Sequence, residues 1–261
     1  MNGSADTRRA DRALIERFRR ARRDQSWAVL EGFHAIKHAV RFHAALVQVC
    51  AADLHELWAL TRLLAPDVEP ELRRLVQSVP PSVFAELAPY PPETGMIAIA
   101  RRPQADITAV LEQRRAAPVV LLEAPAHLGN LGAVVRVAAA AGAAAVLTTG
   151  PQDPWHPAAL RGSAGLHFAL PVARIDRLPP QDDGPLIAIH PDGEPLRPGA
   201  LPDRAIFAFG SERRGLSPEL LEAADRQIAI PMRQGVSSLN LASAVAVVLY
   251  TWRLTGDAAR H

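Results

Sequence analysis

Three stretches in the second half of the chain place polar side chains where an apolar run meets a helix, the junction at which open α/β sheets hold their ligands. The first is LLEAPAHLGNLGAVVRVAAAAG, residues 121–142. An apolar strand ends at Glu123, and a Gly/Asn-containing turn leads into a helix near Asn130. Asn is a good helix cap, and free backbone amides at a helix start favour an anion. Arg136 then stands as a single cation among Ala133, Val134, Val135, Val137 and Ala138. It either snorkels out of a buried helix or holds a charge at a site. The second stretch is IFAFGSERRGLSPELL, residues 206–221. Here strand Ile206–Phe209 runs into Gly210, Ser211 and Glu212, Gly215 permits a turn, and Ser217–Pro218 fit the cap and first position of a helix. The third is IAIPMRQGVSSLNLASAVAVVLY, residues 228–250. A strand ends at Pro231–Met232, and a polar loop, Arg233 to Ser238, opens a long Ala/Val helix. Capping accounts for Ser237 or Ser238, but less well for Asn240, a mediocre helix former just inside an apolar helix.

Several chemistries lack their residues. Gly129 and Gly132 do not make the G-x-G-x-x-G fingerprint, which argues against a nicotinamide enzyme and against methyltransferases with a glycine-rich first loop. There is no Walker A sequence and no G-x-S-x-G elbow. The nine His are scattered without HExxH or Cys/His spacing, so a metal site is not expected. Cys50 is the single cysteine, which excludes an internal disulfide framework.

The elements that must position these residues follow from patterning. The 261 residues are 49% hydrophobic and 21% charged, ordinary for a folded protein and enough for one large domain or two smaller ones. Residues 118–261 repeat a strand–helix rhythm. Strands are predicted at 119–123, 144–148, 186–190, 206–210 and 227–230, and helices at 130–141, 217–224 and 239–254. Apolar strands alternating with helices predict a mostly parallel sheet covered on both faces. Residues 25–105 read as a smaller α/β unit. Its strands are predicted at 27–30, 46–51 and 96–100, and its helices at 33–42, 54–64, 69–78 and 83–87. Residues 106–117 read as a linker, with a helix over Asp106–Arg115. Residues 1–24 form a basic arm or helix holding eight Arg and four acids, within a net charge of only +2. Lys37 is the single lysine. Arginine in place of lysine fits phosphate recognition, and equally a compositional bias. No apolar run is long enough to span a bilayer, and the N-terminus lacks the apolar core of a secretory signal, so a cytoplasmic protein without a membrane partner is expected.

Taken in order, the three stretches resemble the SpoU/TrmH family of RNA 2′-O-ribose methyltransferases, within the SPOUT superfamily. Asn130, Gly132 and Arg136 match its N-x-G-x-x-x-R motif. Gly210, Glu212, Gly215 and Leu216 match G-x-E-x-x-G-L. Ile230, Pro231, Met232, Gly235, Ser238, Leu239 and Asn240 match I-P-M-x-x-G-x-x-S-L-N. Gln234 departs from the pattern, standing where many relatives have a further Gly. LEGFHAIKHAV and TGMIAIARRP bracket an N-terminal unit that is similar, more loosely, to the family's RNA substrate-binding domain, whose α/β fold resembles RNA-binding ribosomal proteins.

This resemblance implies a C-terminal trefoil-knotted parallel sheet over 118–261 that binds S-adenosylmethionine (AdoMet), and a homodimer with its active site near the subunit interface. It implies cofactor contacts from Gly210, Ile230, Met232 and Leu239, and a catalytic group of Arg136, Asn130, Glu212, Ser238 and Asn240. The implied substrate is structured RNA, with ribosomal RNA ahead of transfer RNA, and the reaction needs no metal. Neutralising Arg136 near pH 7 would cost roughly 7 kcal/mol, so an electrostatic role at the developing alkoxide is easier to support than a general base. The alternatives are a non-catalytic RNA-binding or ribosome-assembly factor of the same fold, and a small-molecule methyltransferase.

Overall fold

The computed structural model of the protein describes residues 3–112, 116–179 and 184–258. In chain order the elements are α1 (Gly3–Ala21), β1 (Trp27–Glu31), α2 (Phe33–Arg41), β2 (Leu46–Ala51), α3 (Leu54–Leu64), α4 (Glu69–Leu75), β3 (Val76–Ser78), α5 (Pro81–Leu87), β4 (Met96–Arg101) and α6 (Ile107–Glu112). They continue with β5 (Val119–Leu122), α7 (Leu128–Ala141), β6 (Ala145–Thr148), α8 (Pro157–Gly162), β7 (Val172–Arg174), β8 (Leu186–Pro195), β9 (Ile206–Phe209), α9 (Pro218–Ala223), β10 (Arg226–Ala229) and α10 (Leu241–Ala258). The end of the helix predicted over Asp106–Arg115 lies outside the described residues. None of the described helices is long and apolar enough to cross a membrane.

The chain divides into two compact units. One comprises the described residues of 1–103 together with 155–168; the other comprises those of 104–154 and 169–261. The first carries a four-stranded mixed sheet of order β1-β4-β2-β3, in which only β2 and β3 pair in parallel. The basic helix α1 belongs to its core: Ile15 and Phe18 pack with Val29, Phe84 and Ile99, and Phe18 is fully buried. The arginines occupy the helix's other faces, so one amphipathic helix is at once a core element and a charged surface.

Three differences from the sequence reading have local causes. The helix expected over 69–78 ends at Leu75, and Val76–Ser78 pairs with β2 instead. A free sheet edge gives this stretch, with β-branched Val76, backbone partners, and Pro80 biases the preceding residue towards extended backbone. Strand β8 runs on to Pro195 because its far end pairs with β10 past a register shift. Residues 155–168 carried no predicted element, yet form α8 and a short 3₁₀ turn at Leu166–Phe168.

That last segment is built into the first unit by specific contacts. Glu31, whose side chain is only 3% exposed, accepts from Arg22, just past the end of α1, at 2.7 Å and is also paired with Arg161 of α8. Arg22 donates a second bond to the Leu87 carbonyl at 3.0 Å. The His38 ring nitrogen Nδ1 lies 2.7 Å from the Ala164 carbonyl. Gly165 sits so close to α2 that a Cβ there would lie 2.3 Å from the Ala35 carbonyl oxygen. A buried carboxylate with two guanidinium partners is tolerable only while paired.

The second unit carries a six-stranded sheet of order β10-β8-β9-β5-β6-β7, with every pair parallel. Its central strands β5, β6 and β9 are buried along their whole length, as a sheet covered on both faces requires. Helices α7 and α10 pack together, and Arg253 of α10 donates to the Ala141 carbonyl at 2.8 Å at the end of α7. Gly142, with φ +74°, then ends α7 in the left-handed conformation.

Removing the carboxylate in Glu31→Ala leaves two guanidinium groups facing a buried gap and should lower stability by about 3 kcal/mol. Arg161→Ala, which removes a half-exposed partner and leaves Arg22 in place, should cost nearer ~1 kcal/mol. Urea-unfolding midpoints of the two variants against wild type check this order.

Candidate functional site

The three motif segments meet at the carboxyl ends of β9, β5 and β10. Gly210 leaves β9 at a place where no side chain fits: a Cβ there would lie 2.0 Å from the Gly215 carbonyl carbon and 2.2 Å from the Leu216 nitrogen. That approach closes a tight turn, with Ser211 N–H donating to the Gly215 carbonyl at 3.1 Å and Gly215 N–H to the Ser211 carbonyl at 3.0 Å. Gly215 is needed for its φ of +68° rather than for space.

The turn aims Glu212 at the start of α7. That helix has no acid in its first turn, and its cap residue, His127, makes no side-chain cap. Glu212 instead binds the backbone just ahead of the helix and the side chain of Asn130 in its first turn. Its Oε2 accepts from Ala126 N–H at 2.8 Å, and its Oε1 accepts from His127 N–H at 3.4 Å and from the Asn130 amide at 2.8 Å. A carboxylate beside free amides at a helix start is electrostatically favourable. Partial burial opposes ionisation of Glu212, but the Asn130 amide and the surrounding backbone N–H groups outweigh it and hold the carboxyl below the usual range.

Asn130 passes the connection on. It is not the cap of α7, as the sequence suggests, but lies in the first turn, with its side chain free to bridge. Its Oδ1 accepts from the Asn240 amide at 3.1 Å. Asn240 in turn caps α10: its Oδ1 accepts from Ala242 N–H at 2.9 Å, and its carbonyl from Ala244 N–H at 2.9 Å. The cap therefore falls on Asn240, two residues after Ser238, and explains why a polar residue heads this apolar helix. Alongside, Glu123 at the end of β5 accepts from the Ser217 amide at 2.7 Å and hydroxyl at 2.6 Å, and Ser217 caps α9 ahead of Pro218 as its sequence predicts.

Glu212, Asn130 and Asn240 line a cavity of about 690 Å³. Gly210, Ile230, Met232 and Leu239 are on its walls, and so are Asn130, Glu212, Ser238 and Asn240. Arg136 is not. It is exposed on α7, six residues beyond Asn130, which places it ~9 Å along the helix and roughly 120° around it. The sequence reading also omitted His127, His190, Arg213 and Arg214, which line the same cavity. The two arginines were legible as the variable positions of G-x-E-x-x-G-L; His190 is the last residue of its expected strand and carried no signal. Among the described residues, no group of three His, Cys, Asp or Glu is placed to hold a metal ion.

Comparison with known proteins gives a consistent result. A sequence model described as the SpoU rRNA Methylase family matches residues 117–250, half of the chain. A 23S rRNA (guanosine(2553)-2′-O)-methyltransferase of Bacillus subtilis is 34% identical over 142 residues, covering 52% of this chain and 57% of its own. The chain spans little more than half the length of such curated relatives. The crystal structure of an RNA 2′-O ribose methyltransferase, 30% identical, matches with a TM-score of 0.67 over 93% of this chain and 94% of that one. The SpoU methyltransferase AviRb of Streptomyces viridochromogenes, solved in complex with AdoMet, is 22% identical and shares the fold, with a TM-score of 0.71 over 89% of this chain and 91% of its own.

Because the Glu212 carboxyl is held below its ordinary value of 4.5, its contribution to stability is complete above that pH and is lost as pH falls through the lower folded value. Glu212→Gln should therefore be less stable than wild type at pH 7, and its deficit should shrink as pH falls below about 4. Thermal unfolding of both proteins across that pH range measures it.

Proposed function

This chain belongs to the SpoU rRNA Methylase family, and from that premise we propose that it transfers the methyl group of AdoMet to a ribose 2′-hydroxyl of structured RNA. The observation that carries the reading is the convergence of three separated segments on one cavity through the Glu212–Asn130–Asn240 chain of hydrogen bonds. Ribosomal RNA stands ahead of transfer RNA as substrate, supported by the 23S rRNA specificity in the name of the Bacillus subtilis relative. The family likeness also supports a knotted second unit, an RNA-binding first unit of the kind found in ribosomal proteins, and a cytoplasmic homodimer.

The cavity suits the cofactor. Its volume lies in the range of small-molecule sites, its walls at Ile230, Met232 and Leu239 are apolar, and the Gly210 turn is too tight for any side chain. When bound, AdoMet supplies a methyl group already activated by its sulfonium. What remains for the protein is to align the ribose oxygen and favour its deprotonated form.

The hydrogen bonds support a division of tasks among the polar residues. Both Glu212 oxygens are engaged, so this carboxylate positions α7 rather than accepting a proton from substrate. Asn240 uses its amide oxygen to cap α10 and its amide nitrogen to hold Asn130. The Ser238 hydroxyl is exposed at the cavity wall, where it can orient a ribose hydroxyl. Arg136 supplies positive charge to the developing alkoxide and its neighbouring phosphate. From its place on α7 it does so for the cavity of a second copy of the chain. Exposed Val247, Tyr250 and Leu254 form a stripe along α10, the helix that packs on α7, and support such a pairing.

Labelled methyl from AdoMet should enter unmodified ribosomal RNA and be recovered in alkali-resistant dinucleotides. Arg136→Ala should abolish it. Absence of label from RNA with the wild-type protein would contradict the reading. Two inactive variants, Arg136→Ala and Asn240→Ala, should restore about a quarter of wild-type activity when co-expressed, because random pairing gives half mixed dimers with one complete site each. No recovery would place Arg136 in its own subunit's site.

A further inference from the structure

The turn that carries Glu212 also carries two adjacent arginines for which neither the fold nor the hydrogen-bond chain has a use. Arg213 and Arg214 are exposed at the tip of the Ser211–Gly215 turn, and both line the cavity. The tip is held firmly. The Ser211 and Gly215 backbones are bonded in both directions, the Arg214 amide donates to the Ser211 hydroxyl at 3.2 Å, and the side chain between them, Glu212, is tied to the start of α7. Neither guanidinium has an acidic partner among the described residues. The single carboxylate lining the cavity is Glu212, which is already engaged by three donors. Two like charges held side by side on a rigid turn favour an anion between or beside them.

The chemistry of the proposed substrate identifies that anion. A ribose 2′-hydroxyl inside an RNA chain has a phosphodiester on each side of its sugar. A cavity that receives this hydroxyl must bring both phosphates to its rim. Guanidinium groups match phosphate oxygens in geometry as well as charge. Resting on the reading of the cavity as a methyl-transfer site, we propose that Arg213 and Arg214 hold the phosphates flanking the target ribose. They are RNA-positioning residues, independent of base identity, and set where the sugar enters relative to the cofactor. The other anion available is the carboxylate of AdoMet, and the two assignments predict opposite results.

The test is the double variant Arg213→Ala/Arg214→Ala, with Arg213→Lys/Arg214→Lys beside it. Affinities are measured for AdoMet alone and for 23S rRNA transcribed in vitro, over a range of salt. RNA affinity should fall by roughly tenfold or more for lost charge-assisted hydrogen bonds. The slope of log affinity against log salt should become shallower by about 1.4, for two phosphate contacts to unpaired RNA. AdoMet affinity should stay within twofold of wild type, and KM for RNA should rise more than kcat falls. The lysine pair, keeping the charge without the planar fork, should keep the wild-type slope and recover part of the affinity. Unchanged RNA affinity and slope would overturn the proposal, as would loss of AdoMet affinity with RNA binding retained. If wild type binds both ligands but transfers no methyl, the methyl-transfer reading fails, while the shallower slope still supports the phosphate contact.

Discussion

Glu212 commits both of its carboxylate oxygens to the start of α7, 86 residues earlier in the chain at Ala126, and the whole site depends on that choice. The helix arrives there without a cap or an acid of its own. Glu212 reaches the Ala126 and His127 amides just ahead of it, and the Asn130 side chain, because Gly210 lets the following turn fold back against β9. Asn130 then relays the constraint to Asn240, which fixes the first turn of α10. Three strand-to-helix junctions are thus set by one carboxylate and two amides. Each of these side chains has two polar ends, and each end is matched to a partner of the right kind, from half-buried Glu212 and Asn130 to exposed Asn240. The order of the helices follows from the parallel sheet, but their exact approach at the cavity follows from this chain of contacts.

The same logic, an acid holding elements distant in sequence, recurs in the first unit. Glu31 at the end of β1 is gripped from one side by Arg22 and from the other by Arg161, which arrives 130 residues later. The chain leaves the second unit after β6, contributes residues 155–168 to the first, and returns to form β7. The first unit is therefore not complete in any continuous stretch of sequence. Cutting the chain near residue 103 would leave a buried carboxylate short of one partner and α2 without the segment that covers Ala35.

Much of this was legible in the sequence where the signal is local. Strand β2 and helix α3 were predicted at their observed ends because apolar run, cap and stop all agree there; Asp53 caps α3 as its type and place require. Ser217–Pro218 have the residue types of a cap and first helical position, and stand so. The likeness of three motifs to one family implied nine site residues, and the fold brings eight of them, all but Arg136, to one cavity. What the sequence did not show is non-local. Nothing in residues 155–168 announces that Arg161 has a buried partner. Strand β3 exists because β2 leaves an edge beside it, not because Val-Gln-Ser is a strong strand. The cap of α10 was placed at Ser237 or Ser238 because serine caps well; the fold uses Asn240, whose amide can cap and bridge at once. Arg136 carried the strongest sequence signal and lies outside the cavity of its own chain, since motif order reports a helix, not which of its faces meets the site.

The central claim is that Glu212, Asn130 and Asn240 act as one unit in shaping the cavity proposed to hold AdoMet. A double-mutant cycle of Glu212→Gln and Asn240→Ala, read on the dissociation constant of AdoMet, tests it most directly. The account predicts strong coupling: either single change breaks the relay, so the double variant should bind little worse than the weaker single one, with an interaction energy of about 1 kcal/mol or more. Losses that simply add, within about 0.5 kcal/mol, would show two independent contacts and contradict the account.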